Sequence, residues 1–223
     1  MKKTVISLSG GIDSTTVLAM ELERRPGREV HCISFKYPSK HNHKERDAAF
    51  KVFDYYAAEH DITFVPVDVT NMFRCFDSDL LNTGGPIPEG HYTDENQKRT
   101  VVPGRNTIFA SFMLGYAQSI GADTIMLGIH AGDHAIYPDC RSDWFYAMNK
   151  VVDKSSEGRV FMIAPLLKLS KASVVRDGLF LNAPYHLTWT CYKGELTPCG
   201  VCGSCIERRE AFELNGAKDP AWK

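Results

Sequence analysis

The sequence predicts an α/β domain built on a mostly parallel sheet, and three observations carry that expectation. Short apolar runs alternate with segments of helical periodicity, most connections between them are short, and a glycine-bearing turn joins the first strand directly to the first helix. With 223 residues, 43% apolar and 24% charged, the chain can build one full core and a small appendage.

"TVISL" (4–8) reads as the first strand and "STTVLAMELER" as the helix after it. "EVHCISFKY" (29–37) is the second strand. "KERDAAFKVFDYYAAEHD" is a helix with Ala49, Val52, Phe53 and Tyr56 on one side, and "ITFVPVDV" the third strand. Between Thr70 and Asn106 the pattern lapses into chain rich in Gly, Pro and polar residues. A connection of that length reads as a mobile cover over an active site, the expected role, or as a disordered insertion. Periodicity resumes with "TIFASFMLGYAQSIG", a helix ended by Gly121, followed by "ADTIMLGIH" as a buried strand, "VFMIAPLL" as another and "SKASVVRDGLF" as a short helix. From His186 the character changes: cysteines crowd together and an amphipathic helix follows around 206–214. The expected division is an α/β domain over 1–185 and a cysteine-rich module over 186–223, the latter too short to fold on hydrophobic burial alone.

A formal net charge of -1 gives no electrostatic footprint for nucleic acid. No apolar run approaches the roughly 18 residues that a membrane span needs, and "MKKTVISLSGG" lacks the form of a signal peptide. A cytoplasmic protein with no direct nucleic-acid or membrane partner is the expectation. In a reducing compartment, four of seven cysteines within 191–205 point to metal before disulfide.

The turn "SLSGGIDST" offers a physical basis for anion binding. Gly10 and Gly11 permit unusual backbone angles and close approach, Ser9 and Ser14 add hydroxyls, and the helix adds the positive end of its dipole. Asp13 reads as a magnesium ligand, a helix N-cap, or both. Neither GxxxxGK[ST] nor GxGxxG occurs, so the turn is neither a Walker-A loop nor a dinucleotide fingerprint.

Two further loops fall at the same sheet edge. In "VVPGRN", Arg105 reads as a phosphate clamp or a group stacking on a base, and Asn106 as a substrate contact or a helix cap. "IHAGDHAIYPDCRSDWF" (129–145) gathers Asp133, His134, Tyr137, Asp139, Cys140 and Arg141. A purine-like ring would use a carboxylate for its N–H and amino edge and an aromatic face for stacking. The alternative is a local Asp139 to Arg141 pair on a surface turn. Cys140 has no base beside it in sequence, and Trp144, Phe145 and Tyr146 read as packing. His31, His43, His60 and His91 have no metal-like partners at helical spacing.

Cys191, Cys199, Cys202 and Cys205, spaced C-x7-C-x2-C-x2-C, fit a closed four-thiolate metal site, with an iron-sulfur cluster or a redox pair as alternatives. Arg208 and Arg209 follow as substrate contacts or helix-surface residues. Lys171, in "PLLKLSK", reads as a phosphoryl-charge partner or a solvent-facing lysine near a helix start.

Ser9 to Thr15 resemble the pyrophosphate loop of the N-type ATP pyrophosphatases. Together with "VVPGRN", "YPDCR", "PLLKLSK" and "CYKGELTPCGVCGSCIERREAF", that loop makes the chain resemble the 7-cyano-7-deazaguanine synthase family over nearly its whole length. The resemblance implies a Rossmann-like (HUP-type) parallel sheet flanked by helices, with a small C-terminal zinc-binding helical module. It implies ATP, Mg²⁺, one structural Zn²⁺ per chain, 7-carboxy-7-deazaguanine and ammonia as reactants, a nitrile product for queuosine-type modification, and a homodimer. On this reading Asp13, Arg105 and Lys171 are catalytic. Ser9, Gly10, Gly11, Asp13, Ser14, Thr15, Tyr37 and Lys40 hold ATP, while Asn106, Asp133, Tyr137, Asp139 and Arg141 face the substrate. "YPSKH" stands where the family commonly has Tyr-Gly-Gln-Arg/Lys-His: Tyr37, Lys40 and His41 carry over, Pro38 and Ser39 do not. Three alternatives remain: a deazapurine ligase that stops at the amide or conjugates another amine, an ATP-dependent tRNA thiolation enzyme, and a non-enzymatic zinc nucleotide sensor.

Overall fold

The computed structural model describes residues 2–91 and 95–221. Five strands, β1 Lys3–Ser7, β2 Glu29–Lys36, β3 Ile62–Asp68, β4 Thr124–Met126 and β5 Phe161–Ile163, form one all-parallel sheet in the order β3-β2-β1-β4-β5. β1 lies at its centre, with Ile6 in register with Cys32 on one side and Met126 on the other.

Both faces are covered, which is why the central strands read as continuous apolar runs rather than alternating ones. Val5, Ile33 and Ile125 enter a core with Phe109 and Met113 of α4 (Arg105–Ile120) and Phe145 and Met148 of α5 (Ser142–Ser156). Their neighbours Ile6, Cys32 and Met126 enter a second core, with Val17 and Leu18 of α1 (Ile12–Arg24) and Ala49 and Val52 of α2 (Asn42–Ala57). A single turn, α3 (Thr70–Phe73), follows β3, and α6 (Lys171–Phe180) and α7 (Gly203–Leu214) complete the chain. Among the described residues no helix is long and apolar enough to cross a membrane.

Three expectations change. Helix α5 begins within the stretch read as a loop; Phe145, Met148 and Val152, at helical spacing, bury its inner face. β4 stops at Met126 instead of continuing to His130: Leu127 N–H makes a last bond to Ile163 O (3.1 Å), and Gly128 then passes against the start of α1. A Cβ on Gly128 would stand 3.1 Å from the Ser14 amide nitrogen. The Thr70 to Asn106 connection, expected as a mobile cover, is anchored at several points. Lys40 Nζ donates to the carbonyls of Asp79, Leu81 and Gly84, Gly90 N–H donates to Val201 O (3.0 Å), and the fully buried Gln97 donates to Glu89 O (3.3 Å). Of its described residues, Arg105 and Asn106 at its end line the cavity described below and the others do not.

The cysteine-rich tail is continuous with both cores: Ala211 and Phe212 of α7 join the α1 side, and Cys191, Cys202 and Cys205 join the α4 side.

Candidate active site

From β1 the chain winds outward through β2 and β3, then returns to the other side of β1 for β4 and β5. That reversal opens a crevice above the carboxyl ends of β1 and β4, the place where open α/β sheets bind ligands. The cavity there is walled by the first turns of α1, α2 and α4, by Trp189 to Tyr192 of the tail, and by α7.

Its floor is the predicted turn. Gly11 occupies the N-cap of α1 in an extended conformation (φ -79°, ψ 169°) with no side-chain cap. The N–H groups of Ile12, Asp13 and Ser14 therefore have no intrahelical carbonyl, and the helix end carries partial positive charge. Ser9 Oγ and Ser14 Oγ lie 3.1 Å apart beside them, and Gly11 N–H donates to Ser9 Oγ (3.3 Å). Gly10 has a different task. Its φ is +81°, and a Cβ there would run into the backbone of Glu45, Ala48 and Ala49, so close helix packing, rather than an approaching ligand, requires glycine. Thr15 is fully buried and does not line the cavity.

Asp13 does not cap the helix. Lys171 Nζ, supplied by the first residue of α6, donates to both Asp13 oxygens at 2.8 Å. Lys171 also lies 3.2 Å from His130 Nε2 and 3.6 Å from Glu207 Oε2. Ser170 sets the start of α6, its side chain accepting from Ser173 N–H. Burial alone would raise the Asp13 pKa, but the charges of Lys171 and His130 and the hydrogen bond from Lys171 outweigh it and leave it lowered. Asp13 thus contributes stability that is complete above the ordinary carboxylate value of 3.8 and is lost as pH falls through the lower folded value. His130 and Glu207 lie within the 129–145 and cysteine-rich stretches, but nothing in their spacing marks them as partners of Lys171.

Of the substrate-loop residues named from the sequence, Arg105, Asn106 and Cys140 line the cavity. Arg105 Nη1 donates to Tyr37 Oη (3.3 Å). Asn106 is neither N-cap nor uncommitted: Gly104 is the N-cap, Asn106 N–H donates to Asp139 Oδ2 (2.8 Å), and its Nδ2 donates to Asp139 O (3.1 Å) and Cys140 Sγ (3.3 Å). Asp139 thereby caps α4 from another loop and stands outside the cavity lining. So does Tyr137, buried with its hydroxyl 2.9 Å from Thr100 Oγ1, and so does exposed Arg141. The Asp133 side chain lies outside the described residues. Lys40, engaged by three carbonyls, does not line the cavity.

The four cysteine Sγ atoms lie within 4.8 Å of one another. Metal-sulfur bonds of about 2.3 Å give a tetrahedron with edges of about 3.8 Å, so the cluster fits a metal ion after a small closing movement. Cys199 N–H points at Cys191 Sγ (3.3 Å) and Cys202 N–H at Cys199 Sγ (3.4 Å), donors that offset thiolate charge. Hydrogen bonds from the Cys202 and Cys205 thiols hold Cys191 well below the ordinary thiol value, and donating to Cys191 pushes Cys202 up to about 12.

This cluster fixes the cavity's outer wall. Trp189 N–H donates to Gly10 O (2.9 Å), and its indole Nε1–H donates to Cys191 O (2.8 Å). Arg208, expected as a possible substrate contact, is 2% exposed. It grips Asp219 through two bonds (2.8 and 2.9 Å) and the Thr188 and Thr190 hydroxyls (2.9 Å each). Arg209 points outward to Gly200 O and Glu213.

A family model described as "Queuosine biosynthesis protein QueC" matches residues 3–216. A 7-cyano-7-deazaguanine synthase of Pseudoalteromonas atlantica is 41% identical over 99% of this chain and 98% of its own. One of Alteromonas mediterranea is 42% identical over 98% and 97%. The NMN synthetase structure from Francisella tularensis aligns with a TM-score of 0.53 at 14% identity, covering 96% of this chain and 77% of that one, a likeness of fold alone.

Proposed function

Because the chain belongs to the QueC family of 7-cyano-7-deazaguanine synthases, we propose that it converts 7-carboxy-7-deazaguanine and ammonia to 7-cyano-7-deazaguanine by two ATP-dependent adenylations. The observation that carries this reading is the unpaired N-terminus of α1, opening onto the same cavity as Lys171 and the aromatic wall of the tail.

A carboxylate resists ammonia because its oxygen leaves poorly. In the first round a carboxylate oxygen attacks the α-phosphorus of ATP and pyrophosphate departs. Ammonia then displaces AMP, which carries that oxygen away, to give the amide. In the second round the amide oxygen attacks another ATP, and loss of AMP and a proton leaves the nitrile. The N–H groups of Ile12 to Ser14 and the hydroxyls of Ser9 and Ser14 receive the departing pyrophosphate. Lys171 supplies compensating charge from the side, and Arg105 faces the reacting end from α4. Asp13 is the carboxylate suited to hold Mg²⁺, which when bound offsets phosphate repulsion. Trp189 and Tyr192 keep bulk water from the adenylates.

The four thiolates would hold structural Zn²⁺, leaving no open coordination position. One zinc per chain by elemental analysis is the expected result. Stripping it with a chelator should lower the Tm by more than about 10 °C and alter Trp189 fluorescence, because metal binding contributes directly to folding of this segment. Unchanged melting after complete metal removal would refute that role. A homodimer in the cytoplasm completes the reading.

Incubating the protein with the acid, MgATP and ammonia tests the reaction. Mass spectrometry is expected to show the nitrile, with amide only in passing. Amide that accumulates and is never dehydrated would assign the chain to an amide-forming ligase instead.

A further inference from the structure

The sequence placed the carboxylate that reads a nucleobase edge in the 129–145 loop, but Asp139 there is occupied in capping α4. Another acid is available. Glu45, on the first turn of α2, lines the cavity with its side chain 21% exposed. Asp13 and Glu207, which also line the cavity, both lie within 4 Å of Lys171. Among the described residues no lysine or arginine stands that close to the Glu45 carboxylate, which is braced by His41 alone (Nε2 to Oε1, 3.3 Å).

The brace has a defined polarity. His41 is 1% exposed, and its Nδ1 is buried with no hydrogen-bond partner. A proton on Nδ1 would be a buried donor without an acceptor, which favours the Nε2–H tautomer, with Nε2 facing Glu45 Oε1 at 3.3 Å. That contact falls on one carboxylate oxygen, and the group keeps accepting capacity toward the cavity. The Tyr192 ring, 5.1 Å from His41, and Trp189, with Lys44 Nζ 5.1 Å above its ring, provide flat faces on the same wall. The Glu45 backbone abuts Gly10 and is therefore fixed relative to the phosphate loop.

We propose that Glu45, braced by His41, is a specificity residue that accepts a pair of adjacent hydrogen-bond donors on a reactant. Two reactants present that chemistry: the cis-diol of the ATP ribose, and the ring N–H with neighbouring amino group of the deazaguanine. A carboxylate already neutralised by a fixed cation would gain little from such donors, whereas Glu45 completes its hydrogen bonding only when they arrive. The identity of the reactants rests on the function proposed above.

Titration calorimetry tests this with MgATP, its 2′-deoxy analogue, the acid and the acid lacking its 2-amino group. Glu45→Gln is expected to weaken binding of one natural ligand by about ten- to a hundredfold and to bind that ligand and its donor-deficient analogue equally. Loss of ribose discrimination identifies the diol as the partner; loss of amino discrimination identifies the base edge. His41→Leu should reproduce the effect at about three- to tenfold, and His41→Asn, which retains a donor, should restore part of it. Folding is checked by the Tm of each variant. If Glu45→Gln binds all four ligands within about twofold of the parent, the proposal is wrong. Discrimination lost in the variant of a protein that makes no nitrile would uphold the ligand assignment and reject the reaction.

Discussion

Replacing Lys171 with methionine is expected to lower kcat/KM for nitrile formation by about a thousandfold, the cost of losing one preorganised group that meets developing phosphoryl charge. The substitution also leaves Asp13 beside the α1 N-terminus without its two 2.8 Å bonds. Breaking a buried pair typically costs about 3–5 kcal/mol, and the 24% exposure of the Asp13 side chain places the loss at the lower end. These effects separate experimentally. Adding Asp13→Asn to Lys171→Met removes the orphaned charge and should recover most of the melting temperature, while nitrile formation stays at the level of Lys171→Met or below it. Recovery of both together would assign Lys171 a purely structural role.

Gly10→Ala is expected to prevent stable folding, whereas Gly11→Ala is expected to spare the fold and weaken ATP binding. Residue 10 sits at φ +81°, and an added Cβ meets backbone atoms of Glu45, Ala48 and Ala49 that cannot yield without moving α2. Strain and overlap together should exceed about 4 kcal/mol, a large fraction of a domain's net stability. A Cβ on Gly11 would find Ser9 Oγ at 3.4 Å and Trp189 O at 3.7 Å, ordinary contacts, but would intrude where phosphate approaches. Thermal melting and MgATP titration of the two variants provide the comparison; equal melting of both would contradict the packing role assigned to Gly10.

The architecture was legible because a parallel sheet covered on both faces imposes continuous apolar runs, and the glycine turn and cysteine spacing carry their physics in a few adjacent residues. Roles that depend on tertiary partners were not legible. The ion pair of Asp13 was hidden, and the cap reading left standing beside the metal one, because its partner Lys171 lies 158 positions away. Lys40 and Asp139 look like ligand contacts in sequence, yet carbonyls and a helix end engage them first. Glu207, Glu45 and Trp189 take no role from a short motif; they reach the cavity because the first turn of α2 and the metal-stapled tail converge there, and His130 stands buried behind it against Lys171. Helix α5 escaped because its apolar spacing begins inside a polar, loop-like stretch.

The central claim is that ATP activates an oxygen of the substrate at the α1 loop, and isotope transfer tests it most directly. With both carboxylate oxygens labelled with ¹⁸O, each nitrile should be accompanied by two AMP molecules, each bearing one labelled oxygen, and by unlabelled pyrophosphate. Label in inorganic phosphate or in water, or ADP in place of AMP, would contradict the account.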